Sequence, residues 1–503
     1  MIEIERKYDV DPDFVLPPLD GAGWSAVDAP PVTLTATYYD TADLRLARAR
    51  TTLRRRTGGA DAGWHLKVPL GTEREEVQLP LGTARSVPPE LAGLVLAHTR
   101  GAKLIPVARL RTSRRTRTVS SADGIPLVEV ADDHVRAQRL GADTAVLQWH
   151  EVEAELLAGA PLEALGAVAA ILAEAGARPA RSSSKLAHVL GDSVAAGPEV
   201  PEPHATIRRK EPAAEAVTAY LRLQVRTLLA LDPQARRGLD GAAAQQARTT
   251  RRLIDALRSF DRLIDAGAAA DLQPELSWLD GELSAGQRQR SVRKRLAAAQ
   301  DGLPQDLLLG AGGLDLAGIV DGADERALRG RRYLALLDRL VALAVDPPLT
   351  RVAAVRAKRV LPALVRHHWA RLDRRMQRAM AEPAERELRR SADAAGWVQA
   401  AAEAATPVYG DPAAELATRV EAIGAALADY ESSAAARGLL LGLGRTQHEA
   451  FTCGLLYAAE ADRGRRAIDE VAAAWQQARR KRYRPADQPA NFQIPRPCVA
   501  EMM

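Results

Sequence analysis

Charged side chains recur at every second residue in several short segments of the first third of the chain, and this constrains the fold more than any other feature. The opening segment sets the pattern, with Glu3, Glu5 and Lys7 alternating against Ile2 and Ile4. On a β-strand, alternate side chains share one face at a spacing of about 6.7 Å. Two carboxylates and an ammonium therefore point one way and two isoleucines the other. The alternation returns with Arg54 and Arg56 in LRRRT, Lys67 in HLK, and Arg74 and Glu76 in REEV. It continues with Arg109 and Arg111 in ARLRT, followed by Arg114, Arg115 and Arg117, then Asp132 closing EVAD, and Glu151, Glu153 and Glu155 in HEVEAEL. A single charged strand is commonplace on a solvated sheet. Repeated across the segments, the pattern reads as a sheet wrapped around a polar lumen, carboxylates mainly on the first and last strands and cations on the middle ones. Charges enclosed in this way cost on the order of several kcal/mol each unless they find partners. A metal ion and a polyanion together supply such partners.

Strand-like runs at 33–39, 52–56, 65–68, 107–118, 127–130 and 147–156 are separated by turn markers such as Gly58-Gly59, Asp61-Ala62-Gly63 and Asp123-Gly124. A helix is expected over 161–175, ended by Gly176. Residues 1–195 are thus expected to form an α+β domain built on an antiparallel sheet or barrel. The proline-bearing stretch 196–212 reads as a linker. Beyond it, Ala-, Leu- and Arg-rich runs at 213–230, 242–265, 326–345, 350–380 and 412–437 carry helical patterning. The expectation is an all-α bundle over 213–484 and a disordered tail over 485–503.

Composition removes several function classes. Lys and Arg total 69 against 64 Asp and Glu, a net charge of +5, and aromatics are 4% of the chain. Neither DNA nor stacked single-stranded nucleic acid is expected as a partner. Cys453 and Cys498 stand far apart, outside any disulfide or zinc pattern, and Cys453 reads as a core thiol. The charged N-terminus is unlike a signal peptide, and no run is apolar enough to span a membrane, so a cytoplasmic protein is expected. No P-loop pattern occurs, and Gly442-Leu443-Gly444 is a lone GxG in a helical context.

The division of charge suits phosphate chemistry. Arg presents a planar fork and Lys a point charge to phosphate oxygens, while Mg²⁺ takes hard carboxylate oxygens. EIERK at Glu3, Glu5 and Lys7 resembles the ExExK signature of the CYTH domain, the triphosphate tunnel metalloenzyme family. The segments YYDTADLRLARARTTLRRRTGG, WHLKVPLG, REEVQLPL, VARLRTSRRT, LVEVADDHV, WHEVEAELLAG and ARPARSSSKLAHVLG follow in that family's order. The resemblance implies an eight-stranded antiparallel β-barrel tunnel with flanking helices, and hydrolysis of inorganic triphosphate or a related compound with Mg²⁺ or Mn²⁺. It implies Glu3, Glu5, Glu151 and Glu153 as metal ligands. Lys7, Arg54, Arg56, Lys67, Arg111, Arg114 and Lys185 become phosphate contacts, and Lys7, Glu5, Glu76 and Asp132 the catalytic tunnel residues. The choices among Glu151, Glu153 and Glu155, and between Arg114 and Arg115, stay open. The alternatives are another tunnel reaction, such as a nucleoside or thiamine triphosphatase or an adenylate cyclase, or a non-catalytic polyphosphate-binding or scaffolding role.

The helical half resembles the CHAD domain, two related four-helix halves whose basic grooves bind polyphosphate. The likeness rests on RRLIDALRSF from Arg251 and ELRRSADAAGWVQAAAEAATPVYG from Glu387. The family's charged positions are altered. Ala244 and Ala247 stand where a His and an Arg are expected, and Arg386 replaces a second His. Asp393, Ala394 and Gly396 interrupt the second basic stripe, and Arg288, Tyr430 and Ser432 change two turns. A separate basic stripe, His367, Arg371, Arg374 and Arg378, follows helical spacing, and the pair His367-His368 reads as surface or groove. Only weak polyphosphate binding is expected of this half.

Overall fold

In a computed structural model of the chain, residues 2–480 are described apart from 22, 71–72, 84, 142–143, 196, 240, 304–313, 315, 317–326 and 444–446. The expected tail at 485–503 lies outside the described residues. The chain divides into two compact units between Glu199 and Val200.

The first unit is built on one antiparallel sheet of eleven strands. They are β1 (Ile2–Glu3), β2 (Glu5–Asp9), β3 (Trp24–Asp28), β4 (Val32–Asp40), β5 (Thr52–Thr57), β6 (Gly63–Leu70), β7 (Glu73–Pro80), β8 (Ile105–Ser121), β9 (Pro126–Arg139), β10 (Ala145–Leu156) and β11 (Arg178–Pro179). The order is β1-β7-β6-β5-β4-β8-β9-β10-β2-β11, with β3 beside β8. Among the described residues the barrel is not closed by hydrogen bonds. The opening segment pairs with β7 through β1 and with β10 through β2, changing partner at Ile4. Only two residues of β1 reach β7, too few to zip the sheet shut along its length.

Helices cover the outside of this sheet. The helix Leu162–Glu174 carries Ala164, Leu165, Val168 and Leu172 on one side. It packs them against Tyr8, Val128, Val130, Val152 and Ala154. Burying each large aliphatic side chain there contributes about 1.5–3 kcal/mol. The partners are all even-numbered on β2, β9 and β10, so the odd-numbered charges of those strands face the other way. At the opposite end Leu53, Trp64, Leu66 and Val68 pack with Leu46 and Leu91 of two short helices and with Val95, which follows the second of them. Arg54, Arg56, His65 and Lys67 are thereby turned inward. A further helix, Lys185–Leu190, closes part of the inner face. Leu186, Val189 and Leu190 sit against Ala36, Tyr38, Leu110, Val135 and Ala137. Ser184 caps it by accepting a hydrogen bond from the Ala187 amide at 3.1 Å.

The second unit is helical. Its long helices are Ala213–Arg236, Ala242–Ser259, Ala266–Asp301, Arg331–Val345, Ala357–Ala381, Glu385–Tyr409, Asp411–Leu443 and Gln447–Ala478. Two expected runs are split. The run 242–265 breaks after Ser259 because Phe260, Leu263 and Ile264 turn into the core and Ile264 bridges Leu349. Asp265 then caps the next helix, accepting from the Gly267 and Ala268 amides. The run 350–380 becomes helical only at Ala357, because the Ala353 and Val355 carbonyls accept from the Ala214 and Ala213 amides. No described helix is long and apolar enough to cross a membrane.

Candidate functional site

The inner face of the first unit gathers charges from strands far apart in sequence. Glu153 on β10 is the hub. It pairs with Lys7, its cross-strand neighbour on β2, with Arg114 of β8 at 2.9 Å and with Lys185 at 2.8 Å. Asp133 on β9 takes two hydrogen bonds from Arg114, at 2.8 and 2.6 Å, and lies 2.9 Å from Lys185. Glu151 meets Lys185 at 2.5 Å and accepts from the Trp149 indole. Lys7 also reaches Glu5 at 3.0 Å. Three cations and four carboxylates thus interlock with little solvent.

Facing this hub is a wall from β5 to β7. Burial works against the charge of Arg54, yet Tyr38, Glu76 and Glu153 together hold its pKa above the ordinary value. The opening segment joins β7 to β10 at its two ends, so β5 and β10 share the inner face although they are not neighbours in the sheet. Arg56 is pushed down to about 10, first by burial and then by Arg54 and Arg114. Among the described residues, the buried Nε–H groups of Arg54 and Arg56 have no hydrogen-bond acceptor. Beside them His65 bonds Glu76 at 2.7 Å, and Glu76 is the cross-strand partner of Lys67.

Most of the expected site residues therefore meet: Lys7, Glu5, Arg54, Arg56, Lys67, Glu76, Arg114, Glu151, Glu153 and Lys185. The Glu3 side chain lies outside the described residues. Two expectations fail on strand parity. Arg111 lies three residues before Arg114 on an unbroken stretch of β8, so it points to the other face, where it is exposed. Asp132 also points outward, and Asp133 is the acid that meets Arg114 and Lys185. His65 was missed, although it shares the parity of Lys67. The sequence does not separate Asp133 from Asp132; strand pairing does, since Ala131 and Glu129, of the same parity as Asp133, lie opposite Glu153 and Glu155.

The donor set suits a hard divalent cation. One carboxylate oxygen from each of Asp133, Glu151 and Glu153 lies within 4.8 Å of the others. All are hard oxygen donors, as Mg²⁺ and Mn²⁺ prefer.

The ion network predicts acid lability. Burial opposes ionisation of Glu153, but Lys185, Lys7 and Arg114 hold its pKa well below the ordinary 4.5. Asp133, also buried, is held below 3.8 by Lys185 and Arg114. Folded-state values below the unfolded ones mean stability that is complete above those ordinary values and lost as pH falls through the depressed ones. Calorimetry should show a melting temperature that holds down to about pH 5 and then drops. A flat profile to about pH 3 would exclude a stabilising role for these pairs.

Comparison with known proteins agrees with this architecture. Residues 1–188 match the CYTH domain and residues 219–441 the CHAD domain. The chain belongs to the CYTH–CHAD family. Two uncharacterised Mycobacterium tuberculosis proteins, from strains CDC 1551 and H37Rv, are each 32% identical to it over 505 residues, covering 94% of this chain and 95% of theirs. Among solved structures, PptA from Streptomyces chartreusis is 23% identical, with a TM-score of 0.44, covering 53% of this chain and 99% of its own. The CHAD domain from the plant Ricinus communis is 21% identical, with a TM-score of 0.41, covering 55% and 96%.

In this CYTH–CHAD chain Arg251 and Arg252 of the helix Ala242–Ser259 are already paired with carboxylates. Arg251 pairs with Asp393 at 2.5 Å and with Asp280 at 3.5 Å. Arg252 pairs with Glu403 at 3.2 Å and with Glu421 at 3.3 Å. At Gly396 an added Cβ would lie 2.3 Å from an Asp255 oxygen, so a larger residue there would displace the Asp255 side chain. Burial, reinforced by Asp393, Asp280 and Glu403, pushes Asp255 up to about 7. On the helix Ala357–Ala381, His367, Arg371, Arg374 and Arg378 form an exposed stripe. His368 instead is buried, with its Nε2 against the Ser259 carbonyl at 2.9 Å, which corrects its expected surface position.

Proposed function

We propose that the CYTH unit hydrolyses inorganic triphosphate, or a compound ending in triphosphate, with Mg²⁺ or Mn²⁺ bound. The observation that carries this reading is an under-satisfied guanidinium wall facing a carboxylate hub on one inner face. Each buried, unpaired Nε–H of Arg54 and Arg56 costs about 1–3 kcal/mol, which an incoming oxyanion recovers. Lys7, Arg114 and Lys185 are outnumbered by Glu5, Asp133, Glu151 and Glu153, so the hub alone attracts a polyanion weakly. A divalent cation supplies the missing positive charge and the Lewis acidity that phosphoryl transfer needs. In this division of labour the carboxylates hold the metal. Lys7, Arg114 and Lys185 turn from carboxylate to phosphate oxygens, and Arg54, Arg56 and Lys67 orient the substrate from the opposite wall. Water then attacks the terminal phosphorus in line, the bond to the bridging oxygen breaks, and diphosphate departs as phosphate forms and the water's proton passes to solvent.

The test is phosphate release from tripolyphosphate, long-chain polyphosphate, ATP and thiamine triphosphate, each with Mg²⁺ and with Mn²⁺. Tripolyphosphate should be preferred, and chelation should abolish turnover. Tight tripolyphosphate binding without release from any substrate would replace this reading with a binding role.

The CHAD unit is proposed to be mainly structural or partner-directed, with only weak polyphosphate binding. Its Arg251 and Arg252 are already paired with carboxylates, so few phosphate contacts remain to release counterions. Long polyphosphate should bind the full chain, with its tunnel saturated by tripolyphosphate, only at low salt. Submicromolar binding that persists at about 150 mM salt would overturn this expectation.

A further inference from the structure

Outside the tunnel, on the opposite face of the same strands, Asp132, His134 and His150 come together. Asp132 and His134 are two residues apart on β9, and His150 is the cross-strand partner of His134 on β10. One ligand atom from each lies within 4.8 Å of the others. Asp132 and His150 are buried, and His134 is exposed. The His134 ring stacks on that of His150 at 4.0 Å, and Phe14 packs edge-on against His150.

Hydrogen bonding at His150 carries the argument. Its Nδ1 lies 3.1 Å from the Asp11 carbonyl oxygen. A carbonyl only accepts, so this contact is a hydrogen bond when Nδ1 bears the proton. Its Nε2 lies 2.5 Å from a carboxylate oxygen of Asp132. On a neutral ring with Nδ1 protonated, Nε2 presents a lone pair to another lone pair. In that tautomer both groups offer lone pairs that one cation could share, and a metal ion bound by both would part them beyond the present hydrogen-bond distance. A ligating histidine commonly donates its other ring N–H to a backbone carbonyl in this way, which fixes the tautomer and the ring plane.

We propose that Asp132, His134 and His150 form a second metal site, on the outer face of the sheet, that takes Zn²⁺. Two imidazoles and one carboxylate suit that ion and leave a coordination position open beside exposed His134, whereas Mg²⁺ prefers the all-oxygen set inside the tunnel. Binding requires the exposed His134 ring to rotate out of its stack, while Asp132 and His150 already converge. A bound ion would tie β9 and β10 to the loop at Asp11.

The experiment uses the full chain without an affinity tag, stripped with chelator and kept in excess Mg²⁺ to occupy the tunnel carboxylates. Zn²⁺ is titrated by calorimetry and bound metal is counted by elemental analysis. One Zn²⁺ per chain should bind with micromolar or tighter affinity. His134→Ala and His150→Gln should each weaken it by more than about tenfold, and Glu153→Gln should leave it unchanged. His134 is exposed, so His134→Ala keeps the test decisive if His150→Gln fails to fold. Substituting Co²⁺ should give visible absorption bands that His134→Ala abolishes. Absence of Zn²⁺ binding, or affinity unaltered by His134→Ala, would overturn the proposal and leave Asp132 and His150 as a structural hydrogen-bonded pair.

Discussion

Replacing Glu153 by Gln is expected to lower tripolyphosphate hydrolysis by about 10²–10³-fold, or roughly 3–4 kcal/mol of barrier. Glu153 is the carboxylate shared by Lys7, Arg114 and Lys185. Gln keeps the volume and one acceptor oxygen but removes the charge that positions all three cations and contributes to the metal-binding set. Breaking a buried ion pair by removing one partner also destabilises a protein by about 3–5 kcal/mol, so the melting temperature should fall as well. Measuring kcat at a temperature well below the new midpoint separates the two effects. The variant should also show a smaller loss of stability on acidification than the parent chain. A folded Glu153→Gln protein with activity within tenfold of the parent at saturating Mg²⁺ would remove Glu153 from the mechanism. Glu151→Gln should cost less, because Glu151 contacts Lys185 and Trp149 alone among the hub residues.

Arg114→Met and Arg111→Ala form the second decisive pair. The Arg114 guanidinium bonds Asp133 and Glu153 on the inner face, while Arg111 is exposed on the outer one. Arg114→Met should reduce kcat/KM by about 100-fold or more, roughly 2.7 kcal/mol. Arg111→Ala should change it by less than about twofold, since exposed substitutions away from a site cost within about 0.5 kcal/mol. Steady-state kinetics on the two variants are sufficient. The reverse ranking would mean that β8 runs in a different register and that the inner face has been assigned to the wrong parity.

Which residues could be read before the fold was seen follows from the period of the strand. Glu5, Lys7, Arg54, Arg56, Lys67 and Glu153 were legible because a two-residue repeat fixes a face wherever the other face is apolar. On β8 and β9 the charges run on both parities, through RTSRRTR and ADDH, so the pattern alone does not say which side is inner. Counting from Leu110 to Arg114, and from Val130 to Asp132, resolves them only once the surroundings of the two apolar residues are known. Leu110 packs inward against the helix Lys185–Leu190, and Val130 outward against the helix Leu162–Glu174.

The tertiary structure decided what meets what. The register Arg114↔Asp133 and Lys7↔Glu153 comes from strand pairing between segments up to 146 residues apart. No local propensity encodes such pairing. The confrontation of Arg54 with Glu153 requires the sheet to curl, and curvature depends on twist accumulated over many strands. The amino-acid order determined, by itself, that this chain has a strand-built unit with charges on one face and a helical unit after it, because alternation and helical spacing are local. Only the folded chain could turn Asp132 outward to the two histidines and Asp133 inward to the cations, because adjacent strand residues always part to opposite faces and packing chooses which face is enclosed.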